Sequence, residues 1–280
     1  MAERASFTQD PDSDIVSCAA CGLVFRERQP SPGAAVTTYA EDEYDRDRLE
    51  ALFESHVELF TPRLARLRQL LGETETPPTV VEVGSFVGGF LSVAEAAGWT
   101  ALGIDPGEEV GAFCREKNLL VRRGTAADVQ VRRGSADVVA IWNTFDQLPD
   151  PRPTLAAARR WLRPGGVLAL RVPNGYAFCR ALTWLRRSPE VLRPPLLTAM
   201  AWNNLLTFPY LHGYSIETLS HLTGEFGWRP LAVDADTLTR LSDDHTAPWA
   251  AREEWLVKAA WRIVARANPN VAPWIDAYFV

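Results

Sequence analysis

Eleven residues, Val80-Val81-Glu82-Val83-Gly84-Ser85-Phe86-Val87-Gly88-Gly89-Phe90, leave this chain few folds to choose from. Thr79 to Val83 is a β-branched run behind Pro77-Pro78, long enough for a buried parallel strand. Glycines follow at 84, 88 and 89, and Phe90, Leu91 and Val93 open a helical spacing. Strand, glycine turn and helix make a cradle. Glycine permits the tight turn and the close approach of a ligand, and the helix start offers free N–H groups. Glu82 sets a carboxylate just before the turn. That charge would repel a pyrophosphate and attract an ammonium group.

A second acid extends the pattern. Thr100 to Ile104 is another buried-strand run, and Asp105 ends it. An acid about 20 residues past the first glycine is placed to accept hydrogen bonds from ribose hydroxyls. One carboxylate suited to an amine and one suited to a ribose point to S-adenosylmethionine rather than to a nicotinamide dinucleotide. An ordinary glycine turn with no cofactor is the plainer reading, since one fold serves many functions.

At 280 residues the chain has room for one large α/β domain with additions. Apolar content of 47% and charged content of 23% describe a soluble globule. The net charge of −6 sets nucleic acid aside as a partner, and the arginine pairs at 122–123, 132–133, 159–160 and 186–187 read as solvated surface. No run of about 18 apolar residues occurs, so no membrane span is predicted. Residues 1–14 are polar and acidic, which reads as a disordered lead-in without a signal peptide. Four cysteines without a leader suit a reducing cytoplasm.

In chain order, Ile15 to Phe25 reads as two β-prone runs around Cys18-Ala19-Ala20-Cys21-Gly22. That turn is half a zinc knuckle. Tetrahedral zinc needs four ligands and no second Cys-x-x-Cys exists, so a metal-free hairpin is expected. Residues 41–71 turn helical, and Pro62 is predicted to divide them into two helices with Thr61 as cap. Residues 1–76 then form an N-terminal hairpin and helical segment, and residues 77–280 the core. The core alternates helices over 90–97, 108–117 and 154–162 with strands at 79–83, 99–105, 119–121, 136–142 and 167–172. Such alternation implies a parallel sheet with right-handed crossovers. An aromatic and arginine-rich insertion spans about 174–212. It reads as a pocket cover, as extra core packing, as a surface compatible with a homodimer, or as a membrane-skimming helix. A capped helix over 215–226, a strand at 228–233, an amphipathic helix over 250–265 and a strand at 273–280 complete the chain.

Several motifs taken together resemble the class I S-adenosylmethionine-dependent methyltransferases, in the small-molecule branch with an N-terminal zinc-ribbon-like segment, here degenerate. They are Glu82-x-Gly84-x-x-x-Gly88, Gly103-Ile104-Asp105-Pro106, Asn143 through Pro151, Leu162-Arg163-Pro164-Gly165-Gly166 and Arg171-Val172-Pro173-Asn174. The resemblance implies a Rossmann-like α/β fold, a seven-stranded and mostly parallel sheet whose last strand runs antiparallel. It places Glu82, Gly84, Ser85 and Gly88 at the methionine end of the cofactor. Asp105, beside Pro106, would meet the ribose, Thr125, Ala126 and Asp128 the adenine, and Asn143 the sulfonium. Phe86 stands where the family has its middle glycine, and would narrow the cradle or stack near the cofactor. Gln147 replaces a histidine that often serves as base.

The replacement base is expected within Phe208 to Tyr214, with His212 first, then Tyr210 and Tyr214. Trp202, Tyr210, His212 and Tyr214 would line the acceptor pocket. The activity so implied is methyl transfer to a small-molecule acceptor, natural-product or sugar-like. A catalytically silent accessory protein that keeps the cofactor pocket is the alternative. An NAD-dependent oxidoreductase is a weaker one, because Glu82 is present and Gly-x-Gly-x-x-Gly is not.

Overall fold

The computed structural model describes residues 15–27, 44–203, 205, 211–236 and 248–280. The predicted lead-in over 1–14 lies outside them. A hairpin comes first, β1 (Ile15–Ser17) and β2 (Val24–Arg26), closed by Cys18 N–H donating to Leu23 O and Gly22 N–H donating to Cys18 O. Gly22 holds a φ of 77°, which suits a residue without Cβ.

Helix α1 (Arg46–Leu71) follows, capped by the Asp45 carboxylate, which accepts from Arg48 N–H at 2.8 Å. It is one helix of 26 residues with Pro62 inside it, not the two predicted. A proline inside a helix costs roughly 3 kcal/mol. Leu59, Phe60, Leu64 and Leu67 lie on both sides of Pro62 and are all buried against the sheet. At about 1.5–3 kcal/mol each, their burial outweighs the proline. Thr61 is no cap, for its hydroxyl bonds back to Val57 O at 2.7 Å.

The core then runs β3 (Thr79–Val83), α2 (Gly89–Ala96), β4 (Thr100–Asp105), α3 (Glu108–Glu116), β5 (Val121–Arg123) and β6 (Ala136–Trp142). After these come α4 (Arg152–Trp161) and β7 (Leu162–Pro173). The insertion is a helix pair, α5 (Gly175–Arg187) and α6 (Arg193–Trp202). It ends on β8 (His212–Gly213), which joins β1 and β2 in a three-stranded sheet. Helix α7 (Ile216–Gly224), β9 (Pro230–Asp236), α8 (Pro248–Ala267) and β10 (Trp274–Phe279) complete the order.

Seven strands form the main sheet in the order β5-β4-β3-β6-β7-β10-β9. The first five pair in parallel, and β10 runs antiparallel to both neighbours. This is the predicted seven-stranded architecture with its antiparallel last strand. Even positions of β3, such as Val80, face α1 and α2, while Val81 and Val83 face α4 and α7. The strand order reverses between β3 and β6, so the crevice for a ligand opens where these two strands end.

Strand β5 lies two residues later than expected. Leu119 is not in it but is buried against the position of Gly88, while Leu120 is exposed. Strand β7 starts earlier than predicted, at Leu162, and its register with β6 shifts between Ala136 and Val138.

Candidate active site

The cradle is built from residues in the left-handed region. Gly84 has φ 74°, Phe86 45° and Gly88 76°. A Cβ on Gly84 would lie 2.2 Å from Thr144 Oγ1, so the backbone here passes too close to the segment after β6 for any side chain. Phe86 carries a side chain in this conformation at a cost of about 1–2 kcal/mol. Its N–H donates to Asp105 Oδ2 at 2.8 Å, and its ring packs edge-on to Tyr44 and tilted to His56, with centroids 5.5 and 5.8 Å away. These contacts offset the strain and turn the ring toward α1.

Asp105 ends β4 beside this turn. Its Oδ1 accepts from Gly107 N–H and its Oδ2 from Phe86 N–H, both at 2.8 Å. A carboxylate has about four acceptor positions, so two stay available to a ligand. Burial raises its pKa against the opposing pull of the two N–H groups. Glu82 is wholly buried behind the turn. Burial, and then the charge of Asp105, push it well above the ordinary carboxylate range. Its Oε2 has no hydrogen-bond partner among the described residues, and neither have Ser85 Oγ and Asn143 Oδ1. Such buried acceptors are costly unless something completes them.

Asn143 sits at φ 54°, held by Gln147 Nε2 donating to its carbonyl at 2.6 Å. After β5, Thr125 N–H and Oγ1 both bond Asp128 Oδ2, at 3.1 and 2.6 Å, in a closed turn that lowers the Asp128 pKa. Ala126 is buried in the core, and Pro106 O accepts from Arg123 Nε. All the predicted cofactor residues therefore lie at strand C-terminal ends. An ammonium group would satisfy Glu82 and ribose hydroxyls the free positions of Asp105, so the cradle fits S-adenosylmethionine.

The expected acceptor residues divide. His212 and Tyr214 come together, with ring centroids 5.7 Å apart, packed on the turn after β6. Leu211 N–H donates to Asp146 O, Tyr214 stacks on Phe145 at 5.1 Å, and Gly175 N–H donates to Tyr214 O. Burial pushes His212 down to about 4 despite Asp150 and a bond to the Leu148 carbonyl, and it raises Tyr214. The Tyr214 hydroxyl is buried without a partner among the described residues. Trp202 stands apart: its indole N–H donates to Glu253 Oε2 on α8 at 3.0 Å. Tyr210 lies outside the described residues.

Sequence reasoning passed over three residues here. Thr144 fills the space that Gly84 leaves, and Cys114 backs Gly88, with burial pushing its thiol up to about 12. His56 packs on Phe60 and Phe86, and burial pushes it down to about 4. Its neutral form is favoured in the fold, so the stability it permits is full above the ordinary 6.5 and is lost as pH falls toward 4. Relative to His56→Phe, the parent chain should lose about 3 kcal/mol across that window. Urea melts at several pH values would read the difference, and parallel curves would refute it.

Sheet order, crevice position and paired acids together define an S-adenosylmethionine-dependent methyltransferase. A methyltransferase-domain family model matches residues 53–233, and the chain belongs to that family. A ubiquinone biosynthesis O-methyltransferase from Methylococcus capsulatus is 30% identical over 170 residues, 52% of this chain and 72% of that one. Two solved structures share the fold. A Thermotoga maritima S-adenosylmethionine-dependent methyltransferase, described as a possible histamine N-methyltransferase, is 17% identical with a TM-score of 0.52. The match covers 84% of this chain and 94% of that one. The geranyl diphosphate C-methyltransferase of Streptomyces coelicolor is 14% identical with a TM-score of 0.53, over 90% and 97% of the two chains.

Proposed function

We propose that the methyl group passes to a small-molecule acceptor, natural-product or sugar-like, held between the cradle, α1 and the helical insertion. One observation carries the reading. Residues 211–214 fold back from the insertion onto the turn after β6, which supports reading this segment as the source of the base that Gln147 does not supply. The Methylococcus relative, named for methylation of an oxygen in ubiquinone biosynthesis, supports an acceptor of this size.

The cofactor, when bound, supplies a methyl group already activated on its sulfonium. What the chain adds is alignment, worth roughly 7–11 kcal/mol in favourable cases. In this reading Glu82 holds the ammonium, Asp105 the ribose, and Asn143 the region near the sulfonium. Thr125, Ala126 and Asp128 border the adenine. His212, held neutral by burial, remains in its base form throughout the neutral range and takes the proton that an acceptor hydroxyl releases. The Tyr214 hydroxyl orients the acceptor.

His212→Ala should lower turnover about 100-fold or more with S-adenosylhomocysteine affinity unchanged. A panel of phenolic and sugar acceptors with methyl-labelled cofactor would measure it. Full turnover would remove His212 from the chemistry. Loss of cofactor affinity would instead mean that residues 211–214 support the cradle.

A further inference from the structure

Helix α8 is built inside out. Glu254 and Lys258 are 4% and 5% exposed and pair with each other, while Trp249, Trp255, Leu256 and Ile263 are 60–68% exposed. A surface helix ordinarily shows the opposite arrangement. Trp249, Leu256 and Ile263 recur at seven-residue spacing and so form one stripe, with Val264 beside it. Arg252 and Arg266, both exposed, follow one edge of that stripe together with Trp255. Helix α6 packs against α8 and α5 against α6, and Leu197, Trp184, Arg186 and Arg187 on these two helices are exposed as well. An apolar stripe of this size on a soluble surface marks an interaction site.

We infer that the exposed face of α8 docks on an anionic lipid surface, lying in its plane. Leu256, Ile263 and Val264 would enter the acyl boundary, and the arginine edge would meet the headgroups. Charge decides the occupant. The chain is acidic overall, at −6, yet this edge is arginine-rich, which complements anionic headgroups. Trp249 within the stripe and Trp255 among the arginines suit the same boundary, where one end of the ring is apolar and the other wet. A second copy fits less well, because antiparallel two-fold packing of α8 on itself would stack arginine edge on arginine edge. Among the described residues no helix is long and apolar enough to cross a membrane, so α8 lies on the surface and does not span it.

Sedimentation of the full chain with phosphatidylcholine vesicles, with and without phosphatidylglycerol, tests this. Binding should require phosphatidylglycerol and weaken with salt. Arg252→Gln with Arg266→Gln should lower it roughly 30-fold, and Leu256→Glu with Ile263→Glu should abolish it. All four positions are exposed, so melting temperatures should hold, and a thermal scan of each variant checks that. Absence of binding to either vesicle would overturn the inference, as would binding indifferent to phosphatidylglycerol. So would a dimer in light scattering that the Leu256 and Ile263 substitutions dissolve while vesicle binding stays.

Discussion

Asp105→Ala is expected to weaken S-adenosylhomocysteine binding by about 100-fold or more, the largest cofactor effect of any single substitution in the cradle. Two losses combine. Ribose hydroxyls would lose a charged acceptor, at roughly 1.5–3 kcal/mol. The Phe86 and Gly107 N–H groups, each now 2.8 Å from the carboxylate, would lose theirs as well. Without the first of these bonds the left-handed Phe86 keeps its ring contacts and one weak bond, from the Cys114 thiol to its carbonyl, to hold its φ of 45°. The cradle should then relax out of shape before any ligand arrives. Asp105→Asn preserves size but replaces one acceptor oxygen by a donor facing an N–H group, so it should recover little. Calorimetric titration would measure both variants, and an unchanged affinity in Asp105→Ala would sink the assignment of the ribose site.

How much of this was legible in the sequence depended on burial. Strands β3 and β6 fall at the predicted residues because a central parallel strand is covered on both faces and reads as an unbroken apolar run. Strand β5 slipped because an edge strand need not be apolar. Its residues are Val-Arg-Arg, while Leu119, which looked like strand, fills the space behind Gly88. The insertion's helices were hidden by aromatics and arginines that break a simple stripe. Helix α8 was visible as amphipathic, but which face it buries was not, because Glu254 and Lys258 satisfy each other only once placed.

The site was legible where chemistry and chain order coincide. Glu82, Ser85, Asp105 and Asn143 stand at strand ends, and strand ends are where such sheets bind ligands. The closeness of Thr144 to Gly84 was not legible, since it depends on β3 and β6 being neighbours. The residue type offers a small signal, a hydroxyl just after Asn143. The buried environment of His212 was not legible. A two-residue strand pairing with β2 buries it, and no local pattern announces so short an element.

The least local feature supports the second large expectation. Arg171 on β7 is fully buried, with Nη1 2.5 Å from Asp276 Oδ1 and 3.0 Å from Asp236 Oδ2, under the Trp274 ring at 4.8 Å. Arg63, from α1, pairs with the same two aspartates. Two cations and two carboxylates thus join α1, β7, β9 and β10 on the sheet face that α1 covers. Arg171→Met keeps much of the volume but leaves the buried Asp276 and the partly exposed Asp236 facing one cation. Breaking a buried pair in this way costs about 3–5 kcal/mol, because the remaining charge has no water to return to. A double variant, Arg171→Met with Asp276→Asn, leaves Arg63 facing Asp236 alone and should recover most of the stability, since the charge imbalance and not the shape is at fault. Urea unfolding of the single and double variants would decide it. A loss below about 1 kcal/mol in Arg171→Met, or a double variant no better than it, would show that Arg171 is not what neutralises this cluster.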